Sequence, residues 1–119
     1  LFLYLGGVFL TIAYDTIYGF QDIEDDKKIG VKSLSILIEK KPTLNLSILY
    51  FLSFLFFTLF FFSFYDDILM NILYSVIILM SFSFQVFKFF KNETLMKIFN
   101  SNILFGGLIS ILTLTRNYL

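Results

Sequence analysis

The 119-residue chain contains no cysteine, no histidine and no tryptophan, and its one proline is Pro42. Without cysteine it can form neither a disulfide nor a thiolate metal site. Without histidine it has no imidazole zinc ligand and no His-assisted nucleophile. Any metal it holds must be bound by oxygen, which selects hard cations such as Mg²⁺, Ca²⁺ or Mn²⁺. Charge is scarce as well: 15% of the residues carry one, against about a quarter in a soluble domain. Nine basic and nine acidic residues cancel, so no overall field draws the chain to nucleic acid, and no nucleic-acid partner is expected.

What the chain has instead is apolar surface. Hydrophobic residues make up 58% of it and aromatic residues 21%, with a mean hydropathy of +0.85. A chain this poor in polar groups cannot cover its exterior for water, so its expected solvent is a lipid bilayer. Residues 43–64 and 68–87 are uncharged runs long enough to span the bilayer, and 101–117 forms a further span with Arg116 near its end. Residues 1–20 are apolar apart from Asp15. The expected fold is all-α: a polytopic membrane helix bundle with four transmembrane helices and a motif loop over 21–42. Lys27, Lys28, Lys32, Lys40 and Lys41 occupy that loop, Asp66 and Asp67 the next turn, and Lys88, Lys91 and Lys97 the turn after it. Because short cytoplasmic loops collect lysine, this alternation puts the motif loop on the cytoplasmic or matrix side. Pro42 suits the first turn of the second span, where no amide donor is needed, and Gly106-Gly107 suits close helix packing in the last. The chain opens at Leu1 inside an apolar run with no basic leader, and reads as part of a longer protein.

One stretch stands apart. In "YGFQDIEDDKKIGVKS", residues 18–33, Asp22, Glu24, Asp25 and Asp26 crowd together just before two lysines. On a helix, Asp22 and Asp26 share a face and Asp25 lies close to it. Such crowding is costly unless something positive sits between the carboxylates. A solvated acidic cap at the end of a membrane helix is the plain alternative. Asp15 weighs against it, because a carboxylate within an apolar span by default suggests function. On one continuous helix Asp15, Asp22 and Asp26 would fall on roughly one face. Tyr14 and Tyr18 lie in the same turns, Gly30 permits a sharp reversal, and Lys32 could return toward the carboxylates. Lys27 occupies the position where a calcium-binding EF-hand loop needs glycine, and no phosphate-binding P-loop is present.

The segment "YDTIYGFQDIEDDKKIGVKS" resembles the second aspartate-rich motif of the UbiA superfamily of intramembrane prenyltransferases. More narrowly, it is similar to the motif of the 4-hydroxybenzoate polyprenyltransferases of ubiquinone biosynthesis: YDT-x-YA, a short polar step, D-x-x-D-D, then IG-x-KS. Gly19 departs from the usual alanine. The other acidic motif of that family, NDxxDxxxD, has no counterpart in this chain, so the resemblance implies the last four helices of a nine-helix enzyme. Alone, such a chain is expected to be inactive.

The resemblance implies Mg²⁺-dependent transfer of a polyprenyl group from polyprenyl diphosphate to an aromatic acceptor, 4-hydroxybenzoate by the form of the motif. Asp22 and Asp26, with Asp25 as a third, would be the metal ligands, and Lys32 would contact the diphosphate. Asp15, Tyr14 and Tyr18 would line the cavity where the acceptor meets the allylic cation, the tyrosine faces stabilising it. The implied partners are both substrates, the lipid bilayer and the N-terminal half of the enzyme; the implied location is the bacterial or mitochondrial inner membrane. A fragment of a transporter or cation-conducting bundle would also explain intramembrane acid, but not the ordered occurrence of all three motif elements.

Overall fold

The structure, a computed structural model, describes residues 1–91 and 94–118, the side chains of Leu95 and Phe99 apart. Six helices follow one another: α1 (Phe2–Gly19), α2 (Ile23–Ile29), α3 (Leu34–Leu37), α4 (Pro42–Phe64), α5 (Ile68–Phe90) and α6 (Leu95–Tyr118). No strand occurs among the described residues. Four of the helices, α1, α4, α5 and α6, are long and apolar enough to cross a membrane. The 23 residues of α4 reach about 35 Å, which exceeds a hydrocarbon core of about 30 Å. The fold is therefore an all-α membrane bundle of four spans.

The sequence dictates these helices chiefly through what it omits. Pro42, the only proline, sits at the start of α4, where its missing N–H is no loss. Elsewhere nothing interrupts the apolar runs. Serine and threonine inside the spans return their hydroxyls to carbonyls one turn back, as Thr16 does to Ile12 at 2.6 Å and Ser47 to Thr43 at 2.7 Å. In lipid, where water cannot serve these hydroxyls, such back-bonding satisfies them; buried Thr58 Oγ1 of α4 is the exception, with no partner among the described residues.

Around the bundle α1 packs on α4 and α6, and α5 packs on α4 and α6. The core between them holds Ala13, Ile17, Leu46, Phe61, Ile78 and Ile98, all fully buried. Hydrogen bonds between spans include Ser53 Oγ to the Gly6 carbonyl at 2.7 Å, Tyr50 Oη to Asn102 Oδ1 at 2.8 Å, and Gln85 Nε2 to Ser101 Oγ at 2.7 Å. Small and polar residues thus join the helices, as expected where apolar contacts between helices gain little over contacts with lipid.

The structure departs from the sequence expectations in three places. Helix α6 begins at Leu95 and α5 ends at Phe90, because helix geometry continues through the polar turns beyond each apolar run. The motif loop over 21–42 contains two short helices, α2 and α3. Close packing falls to Gly6, where a Cβ would come within 2.9 Å of the Phe57 ring; beside Gly106 and Gly107 a Cβ would meet nothing within 4 Å among the described residues.

Candidate functional site

Chain direction places both ends of the motif segment at one end of the bundle. Helix α1 runs into it and α4 leaves it, so α2 and α3 form a clip across that end. The α1 helix does not continue into α2. Its last turn tightens to three-residue spacing, with Gln21 N–H on the Tyr18 carbonyl at 3.0 Å and Asp22 N–H on the Gly19 carbonyl at 3.3 Å. The expected single face through Asp15, Asp22 and Asp26 is therefore broken at residues 20–22. The physical reason is the exit from the apolar run into Gln21 and Asp22, with Gly19 offering little resistance to a bend.

Asp22 is the N-cap of α2, and Glu24, Asp25 and Asp26 occupy its first turn. That is where carboxylates complement the positive end of the helix dipole. Asp26 N–H bonds the Asp22 carbonyl at 2.8 Å, so these two residues stand one turn apart, as the sequence spacing requires. Helix α2 then closes with a Schellman turn. Gly30 takes the left-handed conformation at φ 77°, and the Val31 N–H bonds the Asp26 carbonyl at 3.0 Å. Adjacent Lys32 is exposed and forms no ion pair among the described residues. The two pairs that do form are Lys28 with Asp25 at 3.3 Å and Lys27 with Glu39. The hydrogen bond to Glu39 holds the Lys27 ammonium above its usual pKa, with desolvation acting the other way.

A buried serine fastens the clip to the bundle. Ser35 Oγ donates to the Thr16 carbonyl at 2.9 Å, and a Cβ on Gly19 would collide with that same hydroxyl. Glycine at position 19 thus leaves room for α3 to dock. Ser33 caps α3, accepting from the Ile36 N–H at 3.3 Å. Sequence reasoning found neither role: Ser35 is one of many serines, and only its depth against Thr16 distinguishes it.

The residues singled out for catalysis divide between two clefts. Asp15 lines one of about 450 Å³ with Thr16, Gly19, Ser33 and Ser35. Tyr14 lines another of about 560 Å³ between α1 and α6, with Gly7, Thr11, Gly106 and Ser110. Tyr18 is exposed. Asp15, despite its apolar run, is also exposed. The fold thus brings Asp15 to the serines after Lys32 and separates it from Tyr14.

Mg²⁺ suits this geometry only in part. Among the described residues, no three acidic side chains converge closely enough to hold an ion by themselves. Asp22 and Asp26, one turn apart and outside any ion pair among the described residues, still suit part of a shell. Mg²⁺ is commonly bound by one or two carboxylates together with substrate phosphates and water. The donor chemistry therefore fits as a partial site, and Asp25, paired with Lys28, is its weakest member.

Comparison with known proteins gives one family and a set of partial relatives. The UbiA prenyltransferase family matches residues 1–108. The chain is 62% identical over 34 residues to the mitochondrial 4-hydroxybenzoate polyprenyltransferase of Arabidopsis thaliana, covering 29% of this chain and 8% of that protein. It is 43% identical over 58 residues to the 4-hydroxybenzoate octaprenyltransferase of Haemophilus ducreyi, covering 49% of this chain and 21% of the relative. With the mitochondrial 4-hydroxybenzoate polyprenyltransferase of Dictyostelium discoideum the identity is 46% over 46 residues, 39% of this chain and 10% of the relative. The matched segments thus span well under a quarter of these curated relatives. No solved structure matches significantly.

Proposed function

The chain belongs to the UbiA prenyltransferase family, and from that premise we propose that it supplies one half of the active site of a Mg²⁺-dependent enzyme that transfers a polyprenyl group from polyprenyl diphosphate to 4-hydroxybenzoate. The observation that carries this reading is the family match over residues 1–108, which includes the whole acidic segment. The names of the relatives supply the acceptor.

In this reading Asp22 and Asp26 hold the cation, Asp25 assists, and Lys32 meets the diphosphate as a point charge. Bound Mg²⁺ offsets the negative charge that builds on the leaving diphosphate. Tyr14 and Tyr18 present aromatic faces toward the allylic cation and, unlike water, do not capture it. Asp15 borders the neighbouring cleft, which in the complete enzyme joins that of Tyr14 so that the acceptor ring can attack and lose its proton. The clip lies on the cytoplasmic or matrix side of a bacterial or mitochondrial inner membrane, so the isoprenoid tail enters from lipid while the diphosphate stays at the polar face. The other acidic motif, NDxxDxxxD, comes from outside these 119 residues, and the chain alone does not turn over.

The test compares acid with acid. Asp22→Asn and Asp26→Asn keep shape and remove charge. Asp66→Asn and Asp67→Asn do the same in the α4–α5 turn, where Asp67 caps α5 through the Met70 N–H at 3.2 Å and asparagine caps equally well. The assay is Mg²⁺-dependent transfer of a labelled prenyl group to 4-hydroxybenzoate, in membranes that also carry the NDxxDxxxD segment. Loss of a ligand to the reacting centre should slow transfer by roughly a hundredfold or more, while the turn variants keep their rate. Equal activity in all four would reduce the cluster to a charged cap.

A further inference from the structure

A third cleft, of about 460 Å³, opens between the first half of α4 and the second half of α5. Its size is within the roughly 300–1,000 Å³ of small-molecule sites. It shares no residue with the Asp15 cleft. Phe51, Phe54, Phe82 and Phe87 form its walls, and Thr43, Ser47 and Ser83 supply hydroxyls. Phe51, Phe87 and Phe90 are exposed, so the cleft opens outward from the helix pair.

The position of its mouth decides what it takes. Thr43 and Phe90 stand at the end of the bundle where α4 starts and α5 stops, and the residues flanking them are Lys40, Lys41, Lys88 and Lys91. Lys91 Nζ lies 4.8 Å from the centroid of the Phe87 ring, a wall of the cleft, and Lys88 Nζ lies 4.6 Å above Phe84. Cation–π contact holds both ammonium groups near the cleft and leaves their donors open. Helix α4 carries no charge and α5 carries only Lys88. Of the acids nearby in sequence, Glu39 is paired with Lys27 and Glu93 lies outside the described residues. An apolar slot whose described rim is basic is complementary to an amphiphile with an acyl chain and an anionic head.

We infer that the α4–α5 cleft is a binding site for an anionic phospholipid of the lysine-side leaflet, one acyl chain lying between Phe51 and Phe87 and the phosphate meeting Lys41 and Lys91. The phospholipid ties the free ends of α4 and α5 to the leaflet on which the clip works.

The experiment uses the chain in its membrane-embedded form, in vesicles containing trace phosphatidylglycerol with a photoreactive acyl chain, and maps the crosslinked peptides. The expected result is labelling centred on the segments around Phe51 and Phe87. Excess phosphatidylglycerol should compete and excess phosphatidylcholine should not. Lys41→Gln with Lys91→Gln should weaken labelling roughly tenfold, since each lysine near an anionic surface contributes appreciably. These side chains are at the rim, so the fold is retained. Ser83→Phe, which fills the slot with both lysines in place, should abolish labelling as well. Equal labelling by a phosphatidylcholine probe, or no change in the lysine variant, would overturn the inference. So would displacement by polyprenyl diphosphate but not by phosphatidylglycerol, which would mark a second donor site instead.

Discussion

The two ends of the bundle treat their polar groups in opposite ways. At the end where α4 turns into α5, most polar side chains find a partner inside the fold, exposed Asp66 apart. Arg116, buried on α6, points its guanidinium at Asn71 Oδ1 (3.3 Å) and the Asp67 carbonyl (3.4 Å). It lies 4.8 Å over the Tyr65 ring. Asn71 donates to the Tyr65 carbonyl at 2.7 Å, Tyr65 Oη to Asn117 Oδ1 at 2.6 Å, and Tyr74 Oη meets Thr115 Oγ1 at 3.3 Å. Arg116 Nε is the one guanidinium nitrogen there left buried without a partner. At the clip end the pattern reverses: Asp22 and Lys32 lie exposed, and Asp26 is only half-buried. One end spends its polar groups on holding three helices together. The other keeps carboxylates and a lysine available for something that is not part of the fold. A residue's charge alone does not separate these cases; its partners do.

The largest expected effect on stability therefore lies at the closed end. Asn71→Leu leaves the buried guanidinium without its side-chain acceptor and the Tyr65 carbonyl without its donor. Orphaning buried groups of this kind costs about 2–3 kcal/mol, visible as a lower thermal midpoint in detergent or faster amide exchange across α5 and α6. Transfer rate per folded molecule should not change. The division between the two ends fails if Asn71→Leu slows the reaction while stability holds, or if Asp22→Asn destabilises the bundle as much as Asn71→Leu does.

A smaller effect is expected where the clip meets the bundle. Ser35→Ala removes the hydrogen bond to the Thr16 carbonyl, worth about 1 kcal/mol. Gly19→Ala presses a methyl against the same hydroxyl. Both should loosen α3 without melting the spans, so amide exchange should quicken over Leu34–Leu37 and remain slow in α4. Slow exchange in α3 of both variants would show that apolar contacts, such as that of buried Ile38, hold the clip unaided.

The fold was legible for the same reason that the closed end was not. Uninterrupted apolar length fixes a spanning helix with no knowledge of its neighbours, so residues 43–64 and 68–87 announce α4 and α5 directly. The lysine alternation orders them across the membrane. The Arg116–Asn71 contact joins residues 45 positions apart, and no local pattern signals it. Arg116 alone looks like a basic residue at the end of a span. The acidic cluster was visible because its charge contrasts with its surroundings. Its geometry was misjudged at one step, since extending α1 through Asp22 assumed a continuous helix where the chain bends. Gly106-Gly107 misled in the same way: composition suggests close packing, and only the placement of Phe57 shows that Gly6 performs it.

The smallest effect should come from the ion pair between Lys27 and Glu39, and its smallness is informative. Both partners are exposed, and such pairs contribute little because water screens them and long side chains must be ordered. The pair raises the Lys27 pKa above 10.5, chiefly through the Glu39 hydrogen bond. A raised folded-state pKa stabilises fully below the ordinary lysine value and is lost as pH climbs through the folded value. Between pH 6 and pH 9, roughly the span over which neither state of a lysine titrates, the contribution is constant. Glu39→Gln should therefore move the Lys27 titration down toward the ordinary range, read by NMR of the ¹³C-methylated lysine. It should leave amide exchange in α2 and α3 as slow as in the parent chain. If instead Glu39→Gln frees the clip as fully as Ser35→Ala does, charge rather than the buried serine holds the segment in place. The open end would then be organised by the same kind of internal pairing as the closed one, and the contrast between them would lose its physical basis.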